Sequence, residues 1–491
     1  MGSSTLDSGQ EIQMDKEREI ANTAAELLTE VFNKVDRNPT NMWAEHKLIR
    51  EKIDKITALQ EELSDTNERI RRKRGEGNLA EFLAWAKKKG IDHEGVTVEE
   101  DSEKGYQLVA TRDLAEGEIV VAVPRSAIYS LDQAKRSTAL KRFFARDHMA
   151  SKMDNVGLAL GVCSLQIKEG SSWQPYLDVL PPSFDCPLYY SVQQFEDLRA
   201  SPVFEDALNH YRAVSRQFCY FLSVIDENNK YDKATKEERS KRDPPPLYGT
   251  AFTVPNFTYD LYKWAVCTVA TRINQIPSDY EKNGDAPRII PCLIPILDFA
   301  NHAFFSSFKH TPGYSDSADV AALPVNDAVK RGDPVNIQYG QRTTADFFIH
   351  NAFSPLENPY NKYKLRIGIP KTDKCLPERM RQMASLGYSN TSTVYVFEVF
   401  PAPEIGAQPF DEALVTFARV FVANPPTDEN VYTSDSLRKG VDFLIARFSL
   451  LLRGYKDSLL EGKGNVAILL RGEKAILEDA LLYCQLWKER L

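Results

Sequence analysis

The sequence predicts an α+β fold in which two β-rich segments are separated by a helical insert and followed by a helical region. Residues 94–129 contain two runs of β-branched and apolar residues, and residues 266–354 contain further short strands. The intervening residues 130–265 and the C-terminal residues 355–491 show the three-to-four-residue apolar spacing of helices. A chain of 491 residues is long enough for two or three domains.

The N-terminal residues 1–93 are predicted to form a helical arm. Within residues 11–72, Ile20, Leu27 and Val31 recur at helical spacing, which favours an arm packed on the main body. A short helix is expected at residues 79–90, because Gly90 is a typical end signal.

The first β-rich segment contains predicted strands at residues 107–111 and 118–123, with a turn between them. In the insert, the clearest helices are expected at 155–168 and 203–224, and another at 258–275. The polar residues 226–246 end in three prolines, and we expect a flexible loop there. The C-terminal region is expected to be all-α.

Composition excludes several classes of function. The chain has 61 Lys and Arg against 69 Asp and Glu, a net charge of -8, which argues against nucleic acid as a partner. The seven cysteines include no CxxC pair, so we expect reduced thiols and no metal site. No apolar run reaches membrane-spanning length. We therefore expect a location in the cytoplasm, with the nucleus as a second compartment, and no membrane association. We also expect a monomer.

The most informative motif lies at residues 293–302. Its apolar part predicts a buried strand, and Asp298 and the pair Asn301-His302 follow where that strand leaves the core. Tyr339 comes 37 residues after His302, at the end of a second predicted strand, Val335–Tyr339. A histidine alone is more often a hydrogen-bonded core residue, but the pairing with Asn301 and Tyr339 favours a functional reading.

An Asn-His pair followed by Tyr-Gly resembles the SET-domain methyltransferases, and the split layout resembles their Rubisco large-subunit methyltransferase class. Several strings are similar to the actin-histidine N-methyltransferase branch of that class: Ala110–Asp113, Trp173–Tyr176, Thr271–Pro277 and Ile349-His350. The resemblance implies a SET fold and a helical substrate-binding region at the C-terminus. It also implies S-adenosyl-L-methionine as cofactor, S-adenosyl-L-homocysteine as product and a histidine of actin as target.

The resemblance also implies roles for individual residues. Arg272 would face the cofactor carboxylate, and Phe353 would stack on the adenine. The implied cofactor contacts are Arg74, Glu118, Ile119, Val120, Arg272, Asp298, Phe299, Ala300, Asn301, His302, Ala352, Phe353 and Ser354. The implied substrate contacts are Leu297, Ile337 and Arg342. Trp173 is expected to be a core residue.

The chemistry of histidine methylation suggests two catalytic residues. An imidazole, with a pKa near 6.5, is mostly neutral at about pH 7, so the enzyme has to select its tautomer and aim it. The amide oxygen of Asn274 can accept the N–H of one ring nitrogen and leave the other to attack, and Tyr339 can orient the ring. Asn274 could equally cap or bridge a helix end, since Pro277 would stop the helix nearby.

Two positions depart from the family pattern. The branch has Trp where this chain has Leu297, which implies a wider and less aromatic wall for the substrate. The usual Gly-x-Gly reads Gly105-Tyr106-Gln107, so the close approach of the second glycine is lost or made differently. Two alternatives stay open. One is a protein-lysine methyltransferase, and the other, which these departures favour, is a weakly active SET protein that binds actin or another partner through its helical C-terminal region.

Overall fold

The structure is a computed structural model. The residues that it describes are 8–33, 41–71, 76–102 and 105–491. They divide into two compact units. The first unit comprises Met1–Phe184 and Leu208–Gly340, and the second comprises Asp185–Ala207 and Gln341–Leu491. The domain boundaries at 93, 129, 265 and 354 stay predictions.

Helices are the predominant secondary structure of both units. In chain order they are α1 (Ser8–Glu26), α2 (Met42–Glu61), α3 (Thr66–Arg71), α4 (Glu76–Lys88), α5 (Leu131–Arg136), α6 (Lys141–Arg146), α7 (His148–Lys152), α8 (Asp154–Ile167), α9 (Gln174–Leu177), α10 (Val192–Glu196), α11 (Val203–Lys233), α12 (Lys236–Ser240), α13 (Tyr259–Arg272), α14 (Thr344–Asp346), α15 (Leu376–Ser385), α16 (Glu412–Val422), α17 (Asp428–Val431), α18 (Ser434–Leu452), α19 (Asp457–Leu460) and α20 (Asn465–Arg490). π-helical turns are formed by Leu27–Phe32 and Phe347–Asn351, and 3-10 turns by Arg125–Ala127, Pro187–Tyr189 and Leu297–Phe299.

The strands are short and antiparallel. They are β1 (Val96–Asp101), β2 (Gly105–Ala110), β3 (Ile119–Pro124), β4 (Tyr129–Ser130), β5 (Asn274–Asn283), β6 (Ala286–Leu293), β7 (Gly313–Ser315), β8 (Val320–Pro324), β9 (Tyr363–Gly368) and β10 (Val394–Val399). In the first unit they form the hairpin β1-β2 and two three-stranded sheets, β3-β8-β7 and β4-β6-β5. In the second unit β9 pairs with β10. The predicted α+β mixture, with helical N- and C-terminal regions, is confirmed.

Local sequence explains several of these elements. Thr258 caps α13, since its hydroxyl accepts the N–H of Leu261 at 3.1 Å. In β10, residues alternate between exposed and buried, as expected for a strand with one face on a core. That core contains the inward residues of β9 and apolar residues of α16, α18 and α20.

Two strand predictions in the motif region are wrong. The run at residues 293–297 does not continue as a strand, because β6 ends at Leu293 and Ile296 adopts a φ of 70°. Pro295 has no N–H to give to a ladder, which suits a chain that leaves the sheet here. Residues 335–339 form only an isolated parallel bridge between His302 and Ile337 and no strand of their own.

Three helix and loop predictions also need correction. The predicted loop at 226–246 is partly helical, because α11 continues to Lys233 and α12 follows; charged residues on a solvated helix face resemble a loop in sequence. Pro277 does not stop a helix: α13 ends at Arg272, and Pro277 lies in β5 opposite Ile289. The C-terminal region is helical but not all-α, since it contains β9 and β10.

Candidate active site

The loop after β6 turns sharply in the core of the first unit. The Asp298 N–H donates to the Ile294 carbonyl at 3.0 Å, and the Ala300 N–H donates to the Leu297 carbonyl at 3.1 Å. Leu297 is fully buried, and the Asp298 side chain has no exposed surface. The turn therefore buries the Asp298 carboxylate, and Asn301 and His302 follow it at partly exposed positions.

The segment before Tyr339 connects two parts of the first unit. The Val335 N–H donates to the Leu108 carbonyl of β2 at 2.8 Å. Two residues later, the Ile337 N–H donates to the Asn301 carbonyl at 2.9 Å, and the Ala303 N–H returns a bond to Ile337 at 3.0 Å. The segment thus lies between β2 and the Asn-His pair, as a strand would, although its pairing on each side is short.

His302 and Tyr339 are in direct contact. The Tyr339 N–H donates to His302 Nδ1 at 3.1 Å, and the two ring centroids lie 5.3 Å apart. Because Nδ1 accepts this bond, the neutral ring carries its proton on Nε2. The ring of Phe304 stands edge-on to His302 at 4.4 Å. His302 is therefore fixed in orientation and tautomer by its neighbours.

The Tyr339 hydroxyl is held by the same loop. It donates to the Ala300 carbonyl at 3.0 Å. Burial raises the pKa of Tyr339 to about 12. The hydroxyl therefore stays protonated at neutral pH and can orient a substrate but cannot act as a base.

A buried ion pair lies on the other side of the loop. Arg272 Nη1 donates to the Asp298 carbonyl at 2.9 Å and lies 3.7 Å from Asp298 Oδ1. The guanidinium stacks over the Phe299 ring, 4.8 Å from its centroid. Tyr176 donates its hydroxyl to Asp298 Oδ2. Burial raises the pKa of Asp298 to about 6, against the lowering effect of Arg272 and of the Tyr176 hydroxyl.

Asn274 is the first residue of β5, opposite Cys292, and not part of a helix end. Its Nδ2 donates to the Arg272 carbonyl at 3.2 Å. Since a carbonyl can only accept, the amide nitrogen must face Arg272, and the amide oxygen lies on the other side of the planar group. That orientation leaves an acceptor of the kind that the tautomer hypothesis requires.

The early strand contributes residues whose described contacts are with its own neighbours. The Glu118 carboxylate pairs with Arg112 at 2.6 Å, and the Glu118 carbonyl accepts from the Val325 N–H at 2.9 Å. A register shift between Ile119 and Val121 makes Val120 the extra residue of a bulge. Bulges frequently adjoin active sites, but the contacts of these residues do not test their predicted cofactor role.

Four predicted contacts belong to the second unit. Ala352 has a left-handed φ of 62°, Ser354 donates its N–H to Asn465 at 2.9 Å, and Phe353 packs on Phe347 at 4.9 Å. Arg342 donates to Asn351 at 2.9 Å. Their roles stay predictions. Arg74 lies outside the described residues.

The structure shows the surroundings of Gln107 and Leu297, the two positions that depart from the family pattern. Gly105 has a φ of 73°, which favours glycine, while Gln107 pairs with Glu99 across the β1-β2 hairpin. Tyr106 meets Phe299 edge-on at 6.0 Å. Leu297 is buried, so any effect on a substrate would act through the shape of the pocket wall. Trp173 is a core residue, 5.5 Å from Trp85, as predicted.

Sequence reasoning missed Tyr176 and Phe304 as neighbours of the motif. Tyr176 occurs in one of the strings that carry the family resemblance, but no role follows from its position there. Its partner Asp298 is 122 residues away, and no local pattern joins them. Phe304 lies two residues after His302, and this proximity was the available signal.

The buried donors of this site suit a polar ligand. Among the residues that the structure describes, Arg272 Nε and Asn301 Nδ2 are buried and have no hydrogen-bond partner. Buried donors of this kind are normally satisfied, so an acceptor from a ligand is expected here. A ligand that carries a carboxylate and hydrogen-bonding heteroatoms, such as S-adenosyl-L-methionine, fits them. No group of three metal-ligating side chains is found in the described part of the chain.

Comparison with curated proteins identifies the family. An actin-histidine N-methyltransferase of Rattus norvegicus is 30% identical over 495 aligned residues, which cover 94% of this chain and 77% of the relative. The chain belongs to the actin-histidine N-methyltransferase family. The family member of Homo sapiens is also 30% identical with the same coverage, and that of Gallus gallus is 28% identical. A scan against protein-family models gives no match.

Solved structures establish the fold of this family member. A SET domain of LSMT bound to lysine and AdoHcy matches with a TM-score of 0.60 at 17% identity, covering 84% of this chain and 92% of that one. Rubisco LSMT bound to AdoMet matches with a TM-score of 0.58 at 18% identity and the same coverage. The predicted SET fold is thereby confirmed. Within the described residues, no helix is long and apolar enough to cross a membrane.

Proposed function

We propose that this chain transfers a methyl group from S-adenosyl-L-methionine to a ring nitrogen of an actin histidine. The observation that carries the proposal is the similarity to actin-histidine N-methyltransferases along 94% of the chain. The unpartnered donors of Arg272 and Asn301 support a cofactor with a carboxylate and polar heteroatoms. Solved neighbours with this fold hold AdoMet or AdoHcy.

The cofactor supplies an electrophilic methyl group on a sulfonium. The imidazole nitrogen forms the new bond to carbon as the bond between sulfur and carbon breaks, and the methylated imidazolium then loses a ring proton to water. Transfer therefore needs a neutral ring in the correct tautomer more than it needs a strong base. A protonated Tyr339 agrees with that requirement, because its pKa of about 12 excludes it as a base at neutral pH.

Asn274 is the proposed group that selects the tautomer. With its Nδ2 bonded to Arg272, its oxygen can accept the N–H of the target Nδ1, so Nε2 is the attacking nitrogen. The product would be the tele-N-methylhistidine. Such a hydrogen bond would raise the rate because a larger fraction of the bound imidazole rings would have the reactive tautomer and orientation.

The decisive experiment uses full-length protein, labelled S-adenosyl-L-methionine and unmethylated actin, followed by mass spectrometry of actin peptides. We expect one methyl group on a histidine. Label on lysine would replace the proposal with the lysine methyltransferase alternative. Cofactor binding without label would favour the weakly active binding module.

A variant tests the role of Asn274. Asn274→Ala should lower kcat on a histidine peptide by about tenfold or more, because a lost hydrogen bond to the reacting group is worth about 1.4 kcal/mol. Cofactor affinity should change little. Asn283→Ala, at the exposed far end of the same strand, is the matched control and should leave both quantities unchanged. A collapse of cofactor binding in Asn274→Ala would make the residue structural.

Actin binding through the C-terminal region, a cytoplasmic location and a monomeric state remain predictions from the sequence. Fractionation of cells and sedimentation of the purified chain with and without actin test them directly.

A further inference from the structure

Tyr176 is a buried tyrosine whose hydroxyl has a specific partner. The residue lies on the short helix α9, and its ring packs near Phe82 at 6.1 Å and Trp85 at 6.5 Å. The aromatic ring alone would satisfy a core position, and phenylalanine would suffice for that. The hydroxyl, however, donates to Asp298 Oδ2. The contact joins α9 to the loop that carries Asn301 and His302.

Asp298 passes this contact on to Arg272. The Asp298 carbonyl accepts from Arg272 Nη1 at 2.9 Å, and its Oδ1 lies 3.7 Å from the same nitrogen. Phe299 supports the face of the guanidinium. The Arg272 side chain is 11% exposed, and its Nε has no partner among the described residues. The guanidinium is thus held firmly and keeps an unused donor.

The loop continues from Asp298 to the residues that hold Tyr339. The Ala300 carbonyl accepts from the Tyr339 hydroxyl at 3.0 Å. A shift of Asp298 would therefore move the support of Arg272 and that of Tyr339 together. Of these two, Arg272 is tied to Asp298 directly and should respond more strongly.

We propose that the Tyr176 hydroxyl is a positioning group for cofactor binding: it fixes the Asp298 carboxylate, which holds the Arg272 guanidinium toward the carboxylate of S-adenosyl-L-methionine. This inference rests on the proposed function. Tyr176 itself does not touch the cofactor and acts through Asp298 and Arg272. An ionised Asp298 is needed, because a charge-assisted contact is about twice as strong as a neutral one.

The ionisation of Asp298 makes the inference testable by pH. Burial raises the pKa of Asp298 to about 6, and Arg272 and the Tyr176 hydroxyl oppose that rise. The other titratable groups that face Asp298 are Cys292 and Tyr339; the pKa of each is raised by burial, so neither ionises between about pH 6 and 9. Removal of the hydroxyl should raise the pKa of Asp298 toward neutrality. The defect should then be largest at low pH and shrink as the pH rises.

The experiment measures the affinity of the full chain for S-adenosyl-L-homocysteine by calorimetry at about pH 6.5, 7.5 and 8.5. These values lie above the Asp298 pKa of about 6 and cover the neutral range toward which that pKa should rise in the variant. Tyr176→Phe should bind about tenfold more weakly than wild type at the lowest pH, with clear recovery at the highest. In methyl transfer, KM for the cofactor should rise more than kcat falls. Tyr220→Phe is the matched control, since Tyr220 also donates to a buried aspartate, Asp147, in the same unit. It should match wild type throughout.

The outcomes separate the two proposals. If wild type binds no S-adenosyl-L-homocysteine, the proposed function fails. If wild type binds and Tyr176→Phe has the same affinity at every pH, the positioning role is overturned. Should Tyr176→Phe fail to fold, Asp298→Asn decides: a weaker affinity that no pH restores supports the role, and an unchanged affinity overturns it.

Discussion

Two buried carboxylates, Asp298 in the first unit and Glu473 in the second, each accept from a tyrosine hydroxyl but differ in their second partner. Asp298 accepts from Tyr176 and faces Arg272. Glu473 accepts from the hydroxyls of Ser201 at 2.8 Å and Tyr455 at 2.9 Å, and no ion pair of Glu473 is found in the described part of the chain.

Burial acts on both carboxyls in the same direction, but different groups oppose it. Burial raises the pKa of Glu473 to about 7 and that of Asp298 to about 6. At Asp298 the guanidinium of Arg272 and the hydroxyl of Tyr176 oppose this rise, whereas at Glu473 the hydroxyls of Ser201 and Tyr455 oppose it.

Removing the cation should have the largest effect. Arg272→Ala leaves the Asp298 carboxylate buried without its partner, which costs about 3 kcal/mol or more of unfolding free energy at neutral pH. The pKa of Asp298 should rise above 6, so the cluster becomes more like that of Glu473. Chemical unfolding at pH 6 and pH 8 measures this, and the deficit should be greater at pH 8.

Arg69→Ala is the matched control, because Arg69 also donates to a backbone carbonyl, that of Gln166, at 3.1 Å. It should retain cofactor affinity, whereas Arg272→Ala should lose most of it. Equal cofactor affinity in the two variants would show that Arg272 has no specific role in cofactor binding.

Glu473→Gln should have the next largest effect, and it should appear as pH dependence. The folded pKa of Glu473 is raised, so its protonated form is favoured in the fold; stability is greatest below the unfolded pKa and falls as pH rises toward about 7. The loss amounts to about 3 kcal/mol at most, from 1.36 kcal/mol per pKa unit. Glutamine keeps the shape and cannot ionise, so the variant should lose this decline. Thermal unfolding between about pH 4.5 and 8 tests it, and an identical slope in both proteins would contradict it.

Ser201→Ala should give the smallest change. It removes one donor to Glu473, at a cost of about 1 kcal/mol, and should raise the pKa of Glu473 further. Ser201 also accepts the Val203 N–H at 3.0 Å at the start of α11, so part of the cost comes from that lost bond. Glu473→Ala as a background separates the two contributions: without an acceptor at position 473, only the second should remain there.

Periodicity predicted much of the fold. The helices α8 and α13 and the strands β2 and β3 were found within a few residues, because their apolar spacing follows from burial on one or both faces. The turn at residues 294–299 could not be found in this way, since Ile296 takes a φ of 70° that its side chain disfavours. Tertiary packing imposes that conformation.

The motif in the candidate site was predictable from the sequence, but the residues that hold it in place were not. Asn301, His302 and Tyr339 are close in the fold as their pairing suggested, because the bridge at Ile337 aligns them. Glu473 looks like a surface charge on an amphipathic helix, and only the structure reveals that it is 3% exposed. Contacts such as Tyr176 with Asp298 join distant parts of the sequence and leave no local trace.

The segment at residues 335–337 has a consequence for biosynthesis. Its bond from Val335 to Leu108 closes a loop of more than two hundred residues, and its bond from Ile337 to Asn301 completes the surroundings of the Asn-His pair. A nascent chain that has emerged only as far as β8 holds β2 and the Asn-His pair without the peptide that joins them. The first unit must therefore be almost completely synthesised before the surroundings of the Asn-His pair can form. Long-range closures of this kind are slow.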